Sequence, residues 1–177
     1  MTSPEHERPV HGRSLVTDVV VVIGVFLVAG LVVGLVWPQL VEPVTVTRTD
    51  AGIGTAEVEL ANTFDHDAWY SLLGGVSGLV LGVVLTAWRR SHETVTLLVL
   101  VAGALLAAWL SSFIGAWVGP EPAAVALADA PVGATAPDEV RVTSDAAYLA
   151  WPVGAVLGAV VVLWSPPGDR LLSRGNR

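Results

Sequence analysis

The sequence predicts an all-α transmembrane protein: a four-helix membrane bundle with a small extracytoplasmic β element built from two outer loops. Hydrophobic residues make up 53% of the 177 residues, and the mean hydropathy of +0.66 lies well above that of ordinary soluble domains. Four apolar segments reach the length of about 20 residues that a helix needs to cross a bilayer. Two long acidic connections separate the first segment from the second and the third from the fourth.

The four predicted spans are 19–37, 68–88, 94–118 and 147–164. Together they form one domain over 19–164. The first span follows Arg8 and Arg13, as the apolar run of a signal peptide would. Its apolar run is longer than such a peptide requires, and no small-residue cleavage site follows it before Trp37 and Pro38. We therefore expect this span to be retained.

The arginines predict the orientation of the spans, because basic residues near span ends stay on the cytoplasmic side. Seven of the nine arginines lie in the tails 1–18 and 165–177 or in the short link between spans two and three. The two long connections hold only Arg48 and Arg141 but eleven of the sixteen acidic residues. We predict a multi-pass protein of the cell membrane with both termini cytoplasmic and an acidic outer face. The polar tail 1–18 is predicted to be disordered.

Six of the seven tryptophans fall at predicted span ends, where an indole ring is half buried and its N–H stays wet. These are Trp37, Trp69, Trp117 and Trp151 at the outer ends, and Trp88 and Trp164 at the inner ends. Trp109 lies deep in span three. We expect it to fill a gap between helices opposite small residues, the alternative being a side chain that faces a ligand.

The outer connections contain alternating, β-branched runs that predict strands. PVTVTRTD (43–50) and TAEVELA (55–61) flank the turn sequence AGIG, and together they predict a hairpin. EVRVTSD (139–145) alternates in the same way. Because a lone hairpin is marginal in water, we expect this third strand to complete a small sheet.

Every span carries glycines or other small residues at intervals of four. Small residues at this spacing let helix backbones approach closely, which favours association by van der Waals contact in lipid. We call each such row of small residues a seam. A seam joins two helices of this chain, or it faces a membrane protein partner or a second copy. The predicted packing glycines are Gly30, Gly34, Gly74, Gly78, Gly82, Gly103, Gly115, Gly154 and Gly158.

Spans two and four also share a repeated sequence. GLVLGVVLTAW (78–88) and GAVLGAVVVLW (154–164) agree at both glycines and at the final Trp, with an offset of 76 residues. An internal duplication of two parallel helical hairpins would produce this pattern.

The apolar cores of the spans contain no Asp, Glu, Lys, Arg or His. Proton relays and ion pathways in membranes use such residues, so a secondary transporter or proton-coupled pump is not expected. The hydroxyls inside the spans have no activating base at the same depth. The chain also has no cysteine, which excludes thiolate chemistry and Cys-ligated metals. We predict no catalytic residue, no cofactor and no nucleic-acid partner.

The densest polar cluster is FDHDAWY (64–70), at the outer end of span two. Asp65, His66 and Asp67, joined by Asp145, are weak candidates for ligating a metal or for acid–base catalysis. The favoured interpretation makes Asp67 and Asp145 helix N-caps, as Asp18 would be for span one, with His66 a solvated neighbour. Two acids around one His form no specific metal signature, so no metal site is predicted.

The stretches FDHDAWYSLLGGVSGLVLG and YLAWPVGAVLG give the chain a resemblance to an uncharacterised actinobacterial family of four-span membrane proteins, a domain of unknown function. The resemblance covers nearly the whole chain apart from the N-terminal tail. It implies the four-span architecture, and it carries no catalytic or binding residue over.

The sequence thus favours a non-catalytic integral membrane protein, an accessory or assembly subunit that acts through its helix seams and acidic outer loops. Its expected partners are the lipid bilayer and a membrane protein or a second copy. The first alternative is a channel-like or transport component that lines a pathway as an oligomer. The second is a membrane-edge sensor or enzyme that uses the candidates at the outer end of span two.

Overall fold

The computed structural model of the chain describes residues 15–55, 57–88 and 93–165. The helices are α1 (Leu15–Val36), α2 (Glu57–Trp88), α3 (Glu93–Val118), α4 (Ala123–Ala126), α5 (Asp145–Tyr148) and α6 (Ala150–Trp164), and a 3₁₀ turn, Trp37–Gln39, follows α1. The strands are β1 (Thr45–Thr49), β2 (Gly52–Thr55) and β3 (Thr135–Pro137). The predicted tails lie outside the described residues, apart from the start of α1 and Ser165.

Four helical segments are long and apolar enough to cross a membrane: Val16–Gln39, Phe64–Trp88, Val95–Ala126 and Asp145–Trp164. The mostly helical fold with four such segments is therefore confirmed. In the last segment the helix is interrupted at Leu149, between α5 and α6. Pro152 explains the interruption, because it has no N–H to donate to the carbonyl of Tyr148.

The small sheet is also confirmed, but two of its three strands differ from the prediction. The strand order is β2-β1-β3, with both pairs antiparallel. The second strand is Gly52–Thr55, which takes in three residues of the predicted turn and the first residue of the predicted strand. It can start this early because Gly52 adopts a φ of +126° and permits a two-residue turn at Asp50 and Ala51. Residues 57–61 of the predicted strand instead form the first part of α2.

The third strand is Thr135–Pro137, upstream of the predicted 139–145. The amide of Asp138 donates to the carbonyl of Val44 over 2.7 Å, and the pairing with β1 ends there. Val140 then turns inward and is 1% exposed. Because α3 ends at Val118, the last residues of the third segment, including α4, belong to the connection that follows it. The two connections, 40–55 and 119–144, form a unit that we call the cap. It has its own small core of Val44, Val46, Ala123 and Leu127.

The helices pack mainly as two pairs, α2 with α6 and α1 with α3, and a smaller contact between α3 and α6 joins the pairs. In each pair, the two helices are the ones that would correspond to each other if the chain arose by the internal duplication. In the α1–α3 pair, a Cβ added at Gly30 would lie 2.8 Å from the carbonyl oxygen of Ala107, and one at Gly34 would lie 2.9 Å from that of Ser111. Both contacts join residues 77 positions apart.

The α2–α6 contact is reciprocal. A Cβ added at Gly78 would come within 3.0 Å of the Trp151 carbonyl, and one at Gly154 within 3.0 Å of the Gly75 carbonyl. Gly78 and Gly154 differ by 76 positions, as do Gly75 and Trp151, so the two helices contact each other in the same way. The contact of Gly82 with the Ala155 backbone and the contact of Gly158 with the Leu79 backbone are related by the same offset of 76 positions. This offset equals that of the sequence repeat.

Candidate functional site at the junction of cap and bundle

The helix α2 presents Asp65, His66 and Asp67 in three different directions, because successive residues of a helix are about 100° apart. Asp65 is exposed, His66 is 3% exposed, and Asp67 is half-buried. Because α2 begins at Glu57, Asp67 lies well inside the helix, and the prediction that it is an N-cap is wrong.

Asp67 instead binds the cap through both of its carboxylate oxygens. One oxygen accepts the Thr143 amide at 2.9 Å, and the other accepts the Thr143 hydroxyl at 2.7 Å and the Ser144 amide at 3.0 Å. These bonds hold the chain just ahead of α5, and we call them the Asp67 clamp. The clamp also explains why 139–145 forms no strand, because a side chain takes two of its amides.

The other predicted caps are wrong as well. Asp145 is the first residue of α5, and the N-cap is Ser144, which makes no side-chain capping bond. The exposed carboxylate of Asp145 therefore lies in the first turn of a four-residue helix. Asp18 lies in the first turn of α1, which begins three residues earlier at Leu15.

His66 is buried rather than solvated. Its Nε2 lies 3.0 Å from the carbonyl oxygen of Glu42 in the cap, and its ring meets that of Trp37 edge to face, with centroids 6.4 Å apart. His66 and Tyr70 are four residues apart and so share one face of α2. Both rings contact Trp37, and Tyr70 does so edge to face at 5.7 Å.

The aromatic rings around His66 form a buried cluster that sequence reasoning missed. The Tyr70 hydroxyl donates to the carbonyl of Ala108 at 2.6 Å, and the Trp37 indole donates to the carbonyl of Ser111 at 3.3 Å. The ring of Tyr148 lies 5.7 Å from that of Tyr70. The cluster therefore ties α2, α3, α5 and the turn after α1 together. The spacing of His66 and Tyr70 was the one sequence signal for it.

Two tryptophans predicted at the interface are fully buried. Trp37 and Trp151 are both 0% exposed, because glycines of neighbouring helices leave room for their rings. A Cβ at Gly74 would lie 2.5 Å from the Trp151 indole, and one at Gly115 would overlap that of Trp37. Trp109 was expected to fill a gap between helices, and this prediction is wrong, because its side chain is 63% exposed. The remaining four are at least 40% exposed: Trp69, Trp88, Trp117 and Trp164.

The junction is built to hold structure. The side chains of Asp67, His66 and Tyr70 each form hydrogen bonds to backbone groups of another part of the chain. Within the described ranges, which include the four weak candidates, no group of three His, Asp or Glu side chains is arranged to hold a metal.

Comparison with known proteins identifies no similar protein. The chain matches no family model, and the searches of curated proteins and of solved structures return no significant match. The resemblance to an actinobacterial four-span family therefore stays a prediction.

Proposed function

We propose that this chain is a multi-pass protein of the cell membrane with both termini cytoplasmic and the cap outside. It acts without catalysis, as an accessory or assembly subunit that contacts its partner through the cap. The observation that carries the proposal is the Asp67 clamp with the buried His66, which fastens the cap to the four-helix bundle. A cap held in this way presents a fixed surface.

The glycine contacts support the proposal that a partner binds the cap and not the helices. Eight of the nine predicted packing glycines lie against a residue of the paired helix, and Gly115 lies against Trp37 of the turn after α1. The seams are thus used within the chain. The outward helix faces carry large apolar side chains, including Leu31, Leu79, Leu98 and Leu157. Such continuous apolar surface suits lipid.

The cap has the features of a protein-binding surface. Ile53, Val125 and Val132 are 45%, 59% and 59% exposed, and they lie in segments that also carry exposed acids such as Asp50 and Asp129. Apolar side chains supply binding energy, and a one-sided charge selects a complementary partner. We therefore expect a partner with a basic contact surface.

Site-specific photo-crosslinking in cells tests this proposal. We expect a photoreactive residue at Val125 or Val132 to capture one distinct protein, and the same residue at Leu98, which is 68% exposed on α3, to capture none. Capture from Leu98 alone would place the partner on the helix face and contradict the proposal.

The two alternative functions receive less support. A pathway lined by an oligomer would need polar side chains along an outward helix face, whereas those faces carry apolar side chains such as Leu31 and Leu98. Inside the described part of the chain the buried polar side chains are His66, Thr86 and Ser111. The Ser111 hydroxyl donates back to Ala108 of its own helix. A membrane-edge enzyme would need its acidic and His candidates to converge, whereas Asp65, His66 and Asp67 point in different directions from α2.

A further inference from the structure

We infer that a groove beside α3 binds a phospholipid, with the lipid phosphate on Arg141 and an acyl chain along Trp109 and Phe113. The inference rests on the membrane location proposed above. It adds to that proposal a lipid site that is independent of the protein partner.

The groove has a volume of about 280 Å³. It exists because residues 139–142 run unpaired beside α3 instead of joining the sheet. Val140 is buried near Gly119, just after α3, while Arg141 and Val142 line the groove together with α3 residues one to three turns earlier. Arg141 of the cap is thereby held beside α3, and α3 belongs to the segment Val95–Ala126 that is long enough to cross a membrane.

The apolar wall of the groove is a pair of stacked rings. Trp109 and Phe113 have centroids 5.8 Å apart and planes inclined by only 16°. They are 63% and 57% exposed, so most of their surface has no cover from the described chain. Because they are one helical turn apart, the rings form a continuous surface along the helix axis. A linear acyl chain that follows this surface gains dispersion contacts with both rings.

The polar end of the groove holds one cation. Arg141 Nε lies 3.1 Å from Glu139 Oε1, and the Arg141 side chain is 65% exposed. The ion pair uses the Nε edge of the guanidinium, whose terminal amino groups are the donors that match a phosphate. Arg48, the other arginine within the described ranges, donates to the carbonyls of Leu127 and Ala128 instead.

Hydroxyls lie along the same groove. Ser112 Oγ and Tyr148 Oη are 2.8 Å apart, and both residues line the groove together with Arg141 and the two rings. Hydroxyls placed next to a phosphate site can bond the ester oxygens of a glycerolipid. The groove thus offers a cation, a hydroxyl pair and an apolar wall, the three chemistries of a phospholipid molecule.

The charge around the groove favours a lipid over a soluble phosphate. Glu139 neutralises Arg141, and the predicted outer connections are acidic, so a free anion gains little there. A phosphate that arrives on an acyl chain is held by the apolar wall as well.

The test measures lipid binding to the purified full-length chain in mild detergent by native mass spectrometry. The probes are phosphatidylethanolamine and a diacylglycerol with the same chains. We expect the phospholipid to bind roughly tenfold more tightly, and Arg141→Gln to remove this preference. Glu139→Gln keeps the arginine and should keep the preference. Trp109→Leu should weaken both lipids, whereas Trp164→Leu, an exposed control on α6, should weaken neither.

Equal binding of both lipids to the unaltered chain would overturn the assignment, and so would an Arg141→Gln variant that keeps the preference. The substituted Arg141 and Trp109 side chains are largely exposed, so we expect these variants to keep the thermal stability of the original chain. If the lipid preference is absent while photo-crosslinking at the cap succeeds, only the groove assignment fails. If the chain does not partition into membranes, the proposed location fails first.

Discussion

Replacing Gly82 with alanine is expected to lower the free energy of unfolding by about 3 kcal/mol, the upper range for overpacking. The added Cβ would come within 3.0 Å of the carbonyl oxygen, carbonyl carbon and Cα of Ala155. These are backbone atoms, so α2 and α6 must separate along their whole contact to accept the methyl group. In a helix without such contacts, alanine is instead about 1 kcal/mol more stabilising than glycine. A loss of stability therefore indicates a packing clash, and a gain indicates that helix propensity alone acts.

Two glycines provide matched controls for this substitution. A Cβ at Gly24 in α1 meets nothing within 4 Å, and one at Gly75 meets only the Ala150 carbonyl at 3.8 Å. Gly24→Ala and Gly75→Ala should therefore be as stable as the original chain or slightly more so. The measurement is thermal unfolding in detergent micelles, followed by circular dichroism. A Gly82→Ala variant as stable as Gly24→Ala would contradict the described contact of α2 and α6.

Replacing Asp67 with alanine is expected to detach the segment ahead of α5 and to cost about 2 kcal/mol, since hydrogen bonds to a charged acceptor are among the stronger ones. The Thr143 and Ser144 amides lose their acceptor. Their hydrogen exchange should therefore accelerate, while exchange within β1 and β2 stays unchanged.

The control for this substitution is Asp65→Ala, because Asp65 is the neighbouring exposed acid two residues earlier on α2. It should change neither stability nor amide exchange. Equal exchange at Thr143 in the original chain and in Asp67→Ala would show that the clamp does not hold the cap.

The sequence was sufficient to predict the four long apolar helical segments, because span length and hydropathy are local properties. It did not predict α4, or that α2 begins as early as Glu57. It did predict a β1 strand, since Thr45–Thr49 lies inside the alternating run 43–50. It misplaced the other two strands because alternation alone does not distinguish EVEL in a strand from EVEL at the start of a helix. The third strand was misplaced because its competitor, the carboxylate of Asp67, lies 76 residues away.

The same limit applies to the site. The small-residue spacing pointed to close packing, but it could not show which helix lies opposite or that Gly74 and Gly115 lie against tryptophan rings. For that reason the burial of Trp37 and Trp151 was missed, and so was the exposure of Trp109. Side chains that act across elements, such as His66 on the carbonyl of Glu42, follow from the tertiary fold alone.

We propose that the bundle lies in a membrane and holds the cap on the outer side. The chain has no cysteine, so a single introduced cysteine is the only thiol available for labelling. The most direct test is therefore the reaction of Ala51→Cys and Ser91→Cys with a membrane-impermeant maleimide in intact cells. We expect labelling of Ala51→Cys, in the β1–β2 turn, and labelling of Ser91→Cys only after the membrane is permeabilised. Labelling of Ser91→Cys but not of Ala51→Cys in intact cells would contradict this proposal.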